Sequence, residues 1–195
     1  MKRLNLMFLI IGVAIIFSGC SKDDSLAPEL NQNDQEISLK SANVKIPFMG
    51  TSSPDFTPPE PPYAGIITVL PNGKTKVKGE TAWWYDYSED DWRVTGKSKW
   101  YINRLIEEDG IQKVWGKTEI FVDGDRGKWE ISWHGYLTPT LTPDGPSLVG
   151  YVDAVGQGKS GEVKGLVAKW TYSINFIFSD PTTLFYATEG YILEK

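Results

Sequence analysis

The stretch Arg93-Val94-Thr95-Gly96-Lys97-Ser98-Lys99-Trp100-Tyr101-Ile102 alternates strictly between two kinds of side chain. Every second residue is small or apolar: Val94, Gly96, Ser98, Trp100 and Ile102. The residues between them are mostly polar, and three of them are basic. Because successive side chains of a β-strand point to opposite faces of a sheet, this period of two predicts a strand with one dry face and one wet face.

Three further runs repeat the pattern, with lysine, glutamate or serine on the wet face. The residues predicted to face the dry side are Val77, Gly79, Thr81, Trp83 and Tyr85, then Val114, Gly116, Thr118, Ile120 and Val122, then Trp129, Ile131 and Trp133. Seven turn sequences, among them Asn72-Gly73 and Asp109-Gly110, divide residues 64–195 into eight segments of this kind. Asn-Gly and Asp-Gly supply the positive φ of tight hairpin turns.

Glycines inside these segments favour closure of the sheet. Gly79, Gly96, Gly116 and Gly165 are each predicted to lie mid-strand, and a glycine there weakens a strand unless it permits a bend or a close approach. The sequence therefore predicts an all-β fold, an antiparallel eight-stranded meander β-barrel over residues 64–195, with a two-sheet sandwich as the alternative. A dry inside and a wet outside are the reverse of what a membrane-spanning barrel needs.

The N-terminus has the pattern of a lipoprotein signal. Lys2 and Arg3 precede an apolar run that ends in Ser18-Gly19-Cys20, and Cys20 is the single cysteine of the chain. This ending resembles the lipobox of bacterial lipoproteins, in which the cysteine thiol receives diacylglycerol. We predict a signal peptide at residues 1–19 and lipidation of Cys20, which attaches the protein to a membrane. The alternative is an ordinary signal peptide that happens to end near a cysteine.

The residues after Cys20 predict a location and a tether. Ser21-Lys22-Asp23-Asp24 resembles the acidic signal by which some Gram-negative bacteria export lipoproteins, so we expect an outer-membrane protein facing the cell exterior; a periplasm-facing anchor is the alternative. Residues 20–63 show no lasting period and contain seven of the twelve prolines, which predicts a lipidated, proline-rich, disordered tether. The apolar piece Val44–Met49 is an exception that could dock on the domain.

A repeated Val-x-Gly-x-x-x-Trp motif, at Val77–Trp83 and Val94–Trp100, accompanies a glycine-rich segment at Gly156–Gly165. Together they resemble the strands of the allene oxide cyclase/dirigent type of eight-stranded barrel, and they are also similar to lipocalin-like and streptavidin-like barrels. The Gly-x-Trp of lipocalins occurs here as Gly127-Lys128-Trp129, at about the fifth strand instead of the first. The resemblance implies a barrel whose cavity, in the enzymes, positions a reactive lipid.

Five aromatic residues are predicted to converge inside the barrel: Trp83, Tyr85, Trp100, Trp129 and Trp133. If the barrel is hollow, they form the walls of a site for an apolar small molecule; a core filled by side chains is the alternative. A cyclase or isomerase acting on a lipid-derived substrate would need an interior polar group. The candidates for it are Glu189 and Lys169.

Composition excludes several functions. A net charge of −5 argues against a nucleic-acid partner. The one histidine, His134, belongs to a wet face, and the acidic turns Asp123–Asp125 and Glu89–Asp91 are predicted to be solvated hairpin tips instead of calcium sites. We therefore predict no catalytic residue, no metal and no cofactor, and we favour a binding or structural role over an enzyme. The sequence names neither the ligand nor a protein partner.

Overall fold

The computed structural model describes residues 44–179 and 186–194, and this part of the chain is built of β-strands without an α-helix. The predicted signal peptide, Cys20 and residues 21–43 of the tether lie outside the described residues. Two single-turn 3₁₀ helices occur, at Trp92–Val94 and Asp123–Asp125. The strands are β1 (Val44–Pro54), β2 (Ile66–Val69), β3 (Thr75–Tyr87), β4 (Gly96–Ile106), β5 (Gln112–Val122), β6 (Gly127–Thr142), β7 (Gly145–Gly161), β8 (Val167–Ile177) and β9 (Tyr186–Glu194).

Eight of these strands form a closed antiparallel ring. From β3 to β9 each strand pairs with the next along the chain, β9 pairs with β1, and β1 closes the ring by pairing with β3. Strand β2 lies outside the ring and pairs with the part of β3 that β1 does not reach. The prediction of an all-β, antiparallel eight-stranded meander is confirmed.

The first strand of the ring comes from the segment expected to be a tether. Strand β1 is in register with β9 from Val44↔Glu194 to Ser52↔Tyr186. The expected domain start at residue 64 is therefore wrong, since the chain joins the barrel at Val44. The period of two is weak in β1 because its two buried residues are one apolar, Phe48, and one polar, Ser52, and because Pro47 interrupts the run. Its pairing partners lie thirty or more residues away along the chain, so the strand is stabilised by contacts that no local pattern records.

The proline-rich residues that follow β1 are also ordered against the barrel. The backbone N–H of Asp55 donates to the Trp83 carbonyl at 3.0 Å, and Tyr63 exchanges two backbone hydrogen bonds with Thr81. The Asp55 carboxylate lies 2.8 Å from the Lys97 ammonium, and Glu60 forms an ion pair with Lys99. Residues 55–63 thus lie along β3 and are not the disordered chain that their composition predicts.

A β-bulge in β3 reverses the face that its second half turns inward. The register with β4 shifts between Val77 and Glu80, where Gly79 has a φ of 72°. Val77 faces inward as predicted, but beyond the bulge Trp84 and Asp86 are buried. A shift of one residue moves every later side chain to the opposite face. The prediction that Trp83 and Tyr85 face inward is therefore wrong: both lie on the outer face.

The barrel core is aromatic. The predicted inward residues Trp100, Trp129 and Trp133 are buried, together with Trp84 and Trp170. Gly116 makes room for one of these rings: a Cβ at this position would collide with the Tyr101 carbonyl oxygen on one side and would come within 2.6 Å of the Trp133 ring on the other. The mid-strand glycine that predicted closure thus lets a tryptophan pack against the backbone.

Candidate functional site

The three predicted ligand-binding tryptophans that face inward use their polar atoms within the protein. The indole N–H of Trp100 donates to Ser98 Oγ at 3.1 Å, and that of Trp133 donates to Thr118 Oγ1 at 3.0 Å. The indole N–H of Trp129 donates to the Arg93 carbonyl at 2.7 Å. These residues are core side chains with satisfied hydrogen bonds. The ligand role proposed for the set of five stays a prediction, and the structure brings together only three of its members.

The barrel interior is filled by side chains in the part of the chain that the structure describes. The cavity found there measures about 10 Å³ and lies near the end where β1 meets β3, beside Asp86, Tyr172 and Thr188. This is about the space that one water molecule needs. Of the two alternatives, a hollow barrel or a filled one, the described residues form the filled one.

An interior carboxyl group borders this small cavity. Asp86 is 5% exposed, and burial raises the pKa of its carboxyl to about 6, while the nearby hydroxyls of Ser98, Ser52 and Tyr172 oppose that rise. Burial also raises the pKa of the Tyr172 phenol well above its ordinary value, and the charge of Asp86 adds to the effect. Sequence reasoning missed Asp86 because strict alternation assigns it to the wet face. Reading Gly79 as a bulge would have found it.

The residues predicted as interior polar candidates lie elsewhere. Glu189 is exposed, and Lys169 lies on the outer face of β8 between the buried residues Ala168 and Trp170. Neither reaches the interior, so both candidates are wrong. Their strands turn Thr188 and Trp170 inward instead.

A concave surface lies on the outside of the barrel, across β4, β5, β6 and β7. This groove has a volume of about 410 Å³. Two rows of side chains in cross-strand register form most of it, because residues paired across neighbouring strands point to the same face. Its lining residues are Tyr101, Lys117, Thr118, Glu119, Glu130, Ile131, Ser132, Val155, Gln157 and Lys159.

Charges of both signs are arranged within and beside the groove. Glu119 and Glu130 are direct cross-strand partners, and like charges in that position repel each other. Two lysines compensate: Lys128 Nζ lies 2.6 Å from Glu119, and Lys159 Nζ lies 3.3 Å from Glu130. The hydrogen bond to Glu119 raises the pKa of Lys128. Lys117 makes no ion pair within the described part of the chain, so its charge is available to a ligand.

An aromatic shelf continues the groove toward β3. Trp83 stacks on Phe121 with ring centroids 6.0 Å apart. Lys99 Nζ lies 5.2 Å from the centroid of the Tyr101 ring and 5.7 Å from that of Trp83. Trp83, predicted to face inward, and Tyr101, predicted to lie on the wet face, are thus parts of one outer surface.

The remaining predicted features are distributed over the surface and the barrel end. His134 is exposed on β6, opposite Trp115 in the register. In the Asp123–Asp125 turn, Asp123 accepts a hydrogen bond from the Tyr85 hydroxyl; burial, and after it this bond, raise the pKa of Tyr85 to about 12. The Glu89–Asp91 turn is not a solvated tip. Asp91 is buried and binds the Arg93 guanidinium at 2.6 Å.

The described residues contain no group of three or more His, Cys, Asp or Glu side chains placed to hold a metal ion. None of their helices has the length and apolar character needed to cross a membrane.

Comparison with known proteins identifies no relative. No protein-family model, no curated protein and no solved structure matches the chain. The resemblance to allene oxide cyclase/dirigent and lipocalin-like barrels therefore stays a prediction from the sequence motifs.

Proposed function

We propose that this protein is a lipid-anchored lipoprotein of the cell envelope, attached through Cys20, whose barrel binds an oligosaccharide in the groove on its outer face. The anchor and the outer-membrane location, with the cell exterior as the facing side, are supported by the sequence pattern of residues 1–24. Acyl chains contribute about 0.8 kcal/mol per buried methylene, so two or three chains hold a protein firmly on a bilayer. A periplasm-facing anchor is compatible with the same barrel.

The observation that carries the binding function is the contrast between the two concave spaces. The groove measures about 410 Å³, within the range of about 300–1,000 Å³ that small-molecule sites occupy. The interior cavity measures about 10 Å³ and accommodates one water molecule. A ligand larger than water therefore fits the groove on the outer face and does not fit this interior cavity.

The groove lining suits a ligand rich in hydroxyl groups. Ser132 and Gln157 can each both donate and accept hydrogen bonds, the two glutamates accept them, and the free Lys117 ammonium donates them. Tyr101 adds a ring on which a sugar face can pack. A nucleic acid is disfavoured, because Glu119 and Glu130 would repel phosphates and the net charge is −5. Other small barrels also bind oligosaccharides on the face of their sheet.

The test is titration of the full mature chain with a panel of neutral and acidic oligosaccharides, followed by calorimetry and by amide chemical shifts. We expect at least one oligosaccharide to bind and to shift amides of β4–β7. Tyr101→Ala and Gln157→Ala should each weaken binding by tenfold or more, since about 1.4 kcal/mol of lost contact corresponds to that factor. The matched control is Tyr151→Ala, because Tyr151 is an exposed tyrosine of β7 that does not line the groove. No binding across the panel, or equal losses in Tyr101→Ala and Tyr151→Ala, would contradict the proposal.

A second candidate is the cyclase or isomerase acting on a lipid-derived substrate, or a barrel that binds an apolar molecule inside. Asp86 beside Tyr172 is the observation that favours it, because it supplies the interior acid that such chemistry needs. The 10 Å³ cavity weighs against it. Titration with fatty acids and hydrophobic dyes separates the candidates: a change in tryptophan emission that Trp100→Phe reduces and Tyr101→Ala leaves intact would favour the interior site.

Anchoring and location have their own test. We expect radiolabelled palmitate to be incorporated into the wild-type protein and not into Cys20→Ala. Protease added to intact cells should remove the barrel domain. If the domain is cleaved only after the outer membrane is permeabilised, the protein faces the periplasm.

A further inference from the structure

The ring of strands has one weak seam, where β1 meets β3. This pairing comprises four residue pairs, from Thr51↔Tyr87 to Pro54↔Trp84, whereas β1 and β9 are paired over nine. Pro54 has no backbone N–H to donate, which removes a hydrogen bond from a pairing that is already the shortest in the ring. Few backbone hydrogen bonds mean a low free energy of local opening.

A buried polar cluster lies at this seam. Ser52 and Asp86 form one of its four residue pairs and are 0% and 5% exposed. Tyr172 of β8 and Ser98 of β4 also lie beside Asp86. The Ser98 hydroxyl oxygen accepts a hydrogen bond from the Trp100 indole N–H. Three buried atoms of the cluster have no hydrogen-bond partner among the described residues: Ser52 Oγ, Asp86 Oδ2 and Tyr172 Oη. Unpaired polar atoms in a core are rare, and each is destabilising unless water or a ligand pairs it.

The small cavity is the place where such a partner fits. It borders Asp86 and Tyr172, and its volume of about 10 Å³ is close to the minimum for one water molecule. The titratable groups that line it are Asp86 itself and the phenols of Tyr87 and Tyr172. The neighbouring strands β1, β5 and β9 contribute Phe48, Ile120 and Thr188, none of which titrates. Within the described residues no cation lines the cavity to offset a negative charge on Asp86.

We propose that Asp86 and Tyr172 bind one internal water molecule in this cavity, and that this site, with Ser52 paired to Asp86 across the seam, is a proton-sensitive latch that holds β1 on β3 while the Asp86 carboxyl is neutral. A neutral carboxyl donates one hydrogen bond and accepts others, so it can share the water with the Tyr172 hydroxyl. Loss of its proton leaves a buried charge whose desolvation outweighs the help of the nearby hydroxyls, so contact with bulk water stabilises it. Breaking the four pairs of the seam is the least costly way to admit that water.

The size of the effect follows from the two protonation equilibria. With a pKa of about 6 in the closed barrel and the ordinary 3.8 once the carboxyl is solvated, the opening equilibrium rises about tenfold between pH 5 and pH 7.5. Because the carboxyl pKa is higher in the closed barrel than in the open one, the latch is strongest below pH 3.8 and weakens as the pH rises through 6.

Hydrogen exchange of the full mature chain, corrected for the intrinsic pH dependence of amide exchange, tests the latch. In the wild type we expect the amide protection factors of β1 and residues 84–87 to fall about tenfold between pH 5 and pH 7.5, while those of β5 and β6 do not change. Asp86→Asn should abolish this change, and Asp153→Asn, which alters an exposed strand carboxyl, should not.

A second variant keeps the test decisive if Asp86→Asn fails to fold. Tyr172→Phe removes a hydroxyl that favours the charged carboxyl, so the loss of protection should move to higher pH. The proposal is overturned if β1 protection in the wild type does not depend on pH, or if Asp86→Asn retains the wild-type dependence. A crystal structure at pH 5 without an ordered water on Asp86 would also overturn it.

Discussion

Replacing Asp86 by asparagine should stabilise the whole protein at neutral pH. The wild-type carboxyl has a pKa of about 6 in the folded state and 3.8 in the unfolded chain, and one pKa unit corresponds to 1.36 kcal/mol. The difference between the two values therefore amounts to about 3 kcal/mol. Because the folded-state pKa is the higher one, this contribution to stability is complete below pH 3.8 and is lost as the pH rises through 6. Asparagine keeps the shape and does not ionise.

The assay is urea unfolding of wild type and Asp86→Asn from pH 4 to pH 8, followed by circular dichroism and tryptophan fluorescence. We expect the advantage of the variant to grow from about 0.5 kcal/mol at pH 4 to about 3 kcal/mol at pH 7. At a slope of about 2 kcal/mol per molar urea, the midpoint at pH 7 moves up by about 1.5 M. Asp153→Asn is the control for a carboxyl of the outer face. A difference that does not depend on pH, or a variant that is less stable at pH 7, would show that the Asp86 charge is stabilised in the folded state and would refute the reasoning.

Two further predictions concern the strands. Trp84→Ala should lower the free energy of unfolding by about 3–5 kcal/mol, because it empties a buried site. Trp83→Ala, on the outer face, should lower it clearly less. Equal losses in urea unfolding would refute the conclusion that the bulge reverses the inward face of β3. Gly116→Ala should cost about 1–3 kcal/mol through the collision with Tyr101 and Trp133. In Gly79→Ala the added Cβ meets no atom, so the loss of stability should be about 1–2 kcal/mol and should come from the positive φ alone. In thermal unfolding, Gly79→Leu and Gly79→Phe should therefore be about as stable as Gly79→Ala. At position 116 the same larger side chains should be far more destabilising than alanine.

Strand β3 shows where prediction from the local alternation of side chains succeeds and where it fails. Its alternation predicts a strand at the right place, and Val77 faces inward as expected. The bulge at Gly79 then inserts a residue, and from there Trp84 and Asp86 replace Trp83 and Tyr85 in the core. A glycine in a strand indicates either a bend or a close approach. Gly79 permits a bulge and Gly116 permits a ring to approach, and the sequence does not distinguish the two.

The candidate site was less predictable than the fold. The lining residues on β4, β5 and β6 belong to strands whose wet faces the alternation predicts, as with Lys117 and Lys99 beside it. Those on β7, which are Val155, Gln157 and Lys159, belong to a strand for which no wet face was predicted. Their assembly depends on four strands lying in one register, with Tyr101 opposite Lys117 and Ser132 opposite Val155. Hairpin turns constrain that register, but the depth of the groove depends on which long and short side chains become neighbours.

The sequence by itself determined strands β3 to β9, their order and the wet and dry faces of β4, β5 and β6, because a period of two and the conformational preferences of turn residues act over a few neighbouring positions. It also carries the pattern of a signal peptide and an anchoring cysteine. Tertiary structure alone decided that β1 closes the ring, that Ser52 meets Asp86 across the seam, and that the tryptophans fill the interior. These features depend on pairing between distant residues and on the volume the side chains occupy together, and neither is a property of any short stretch of chain.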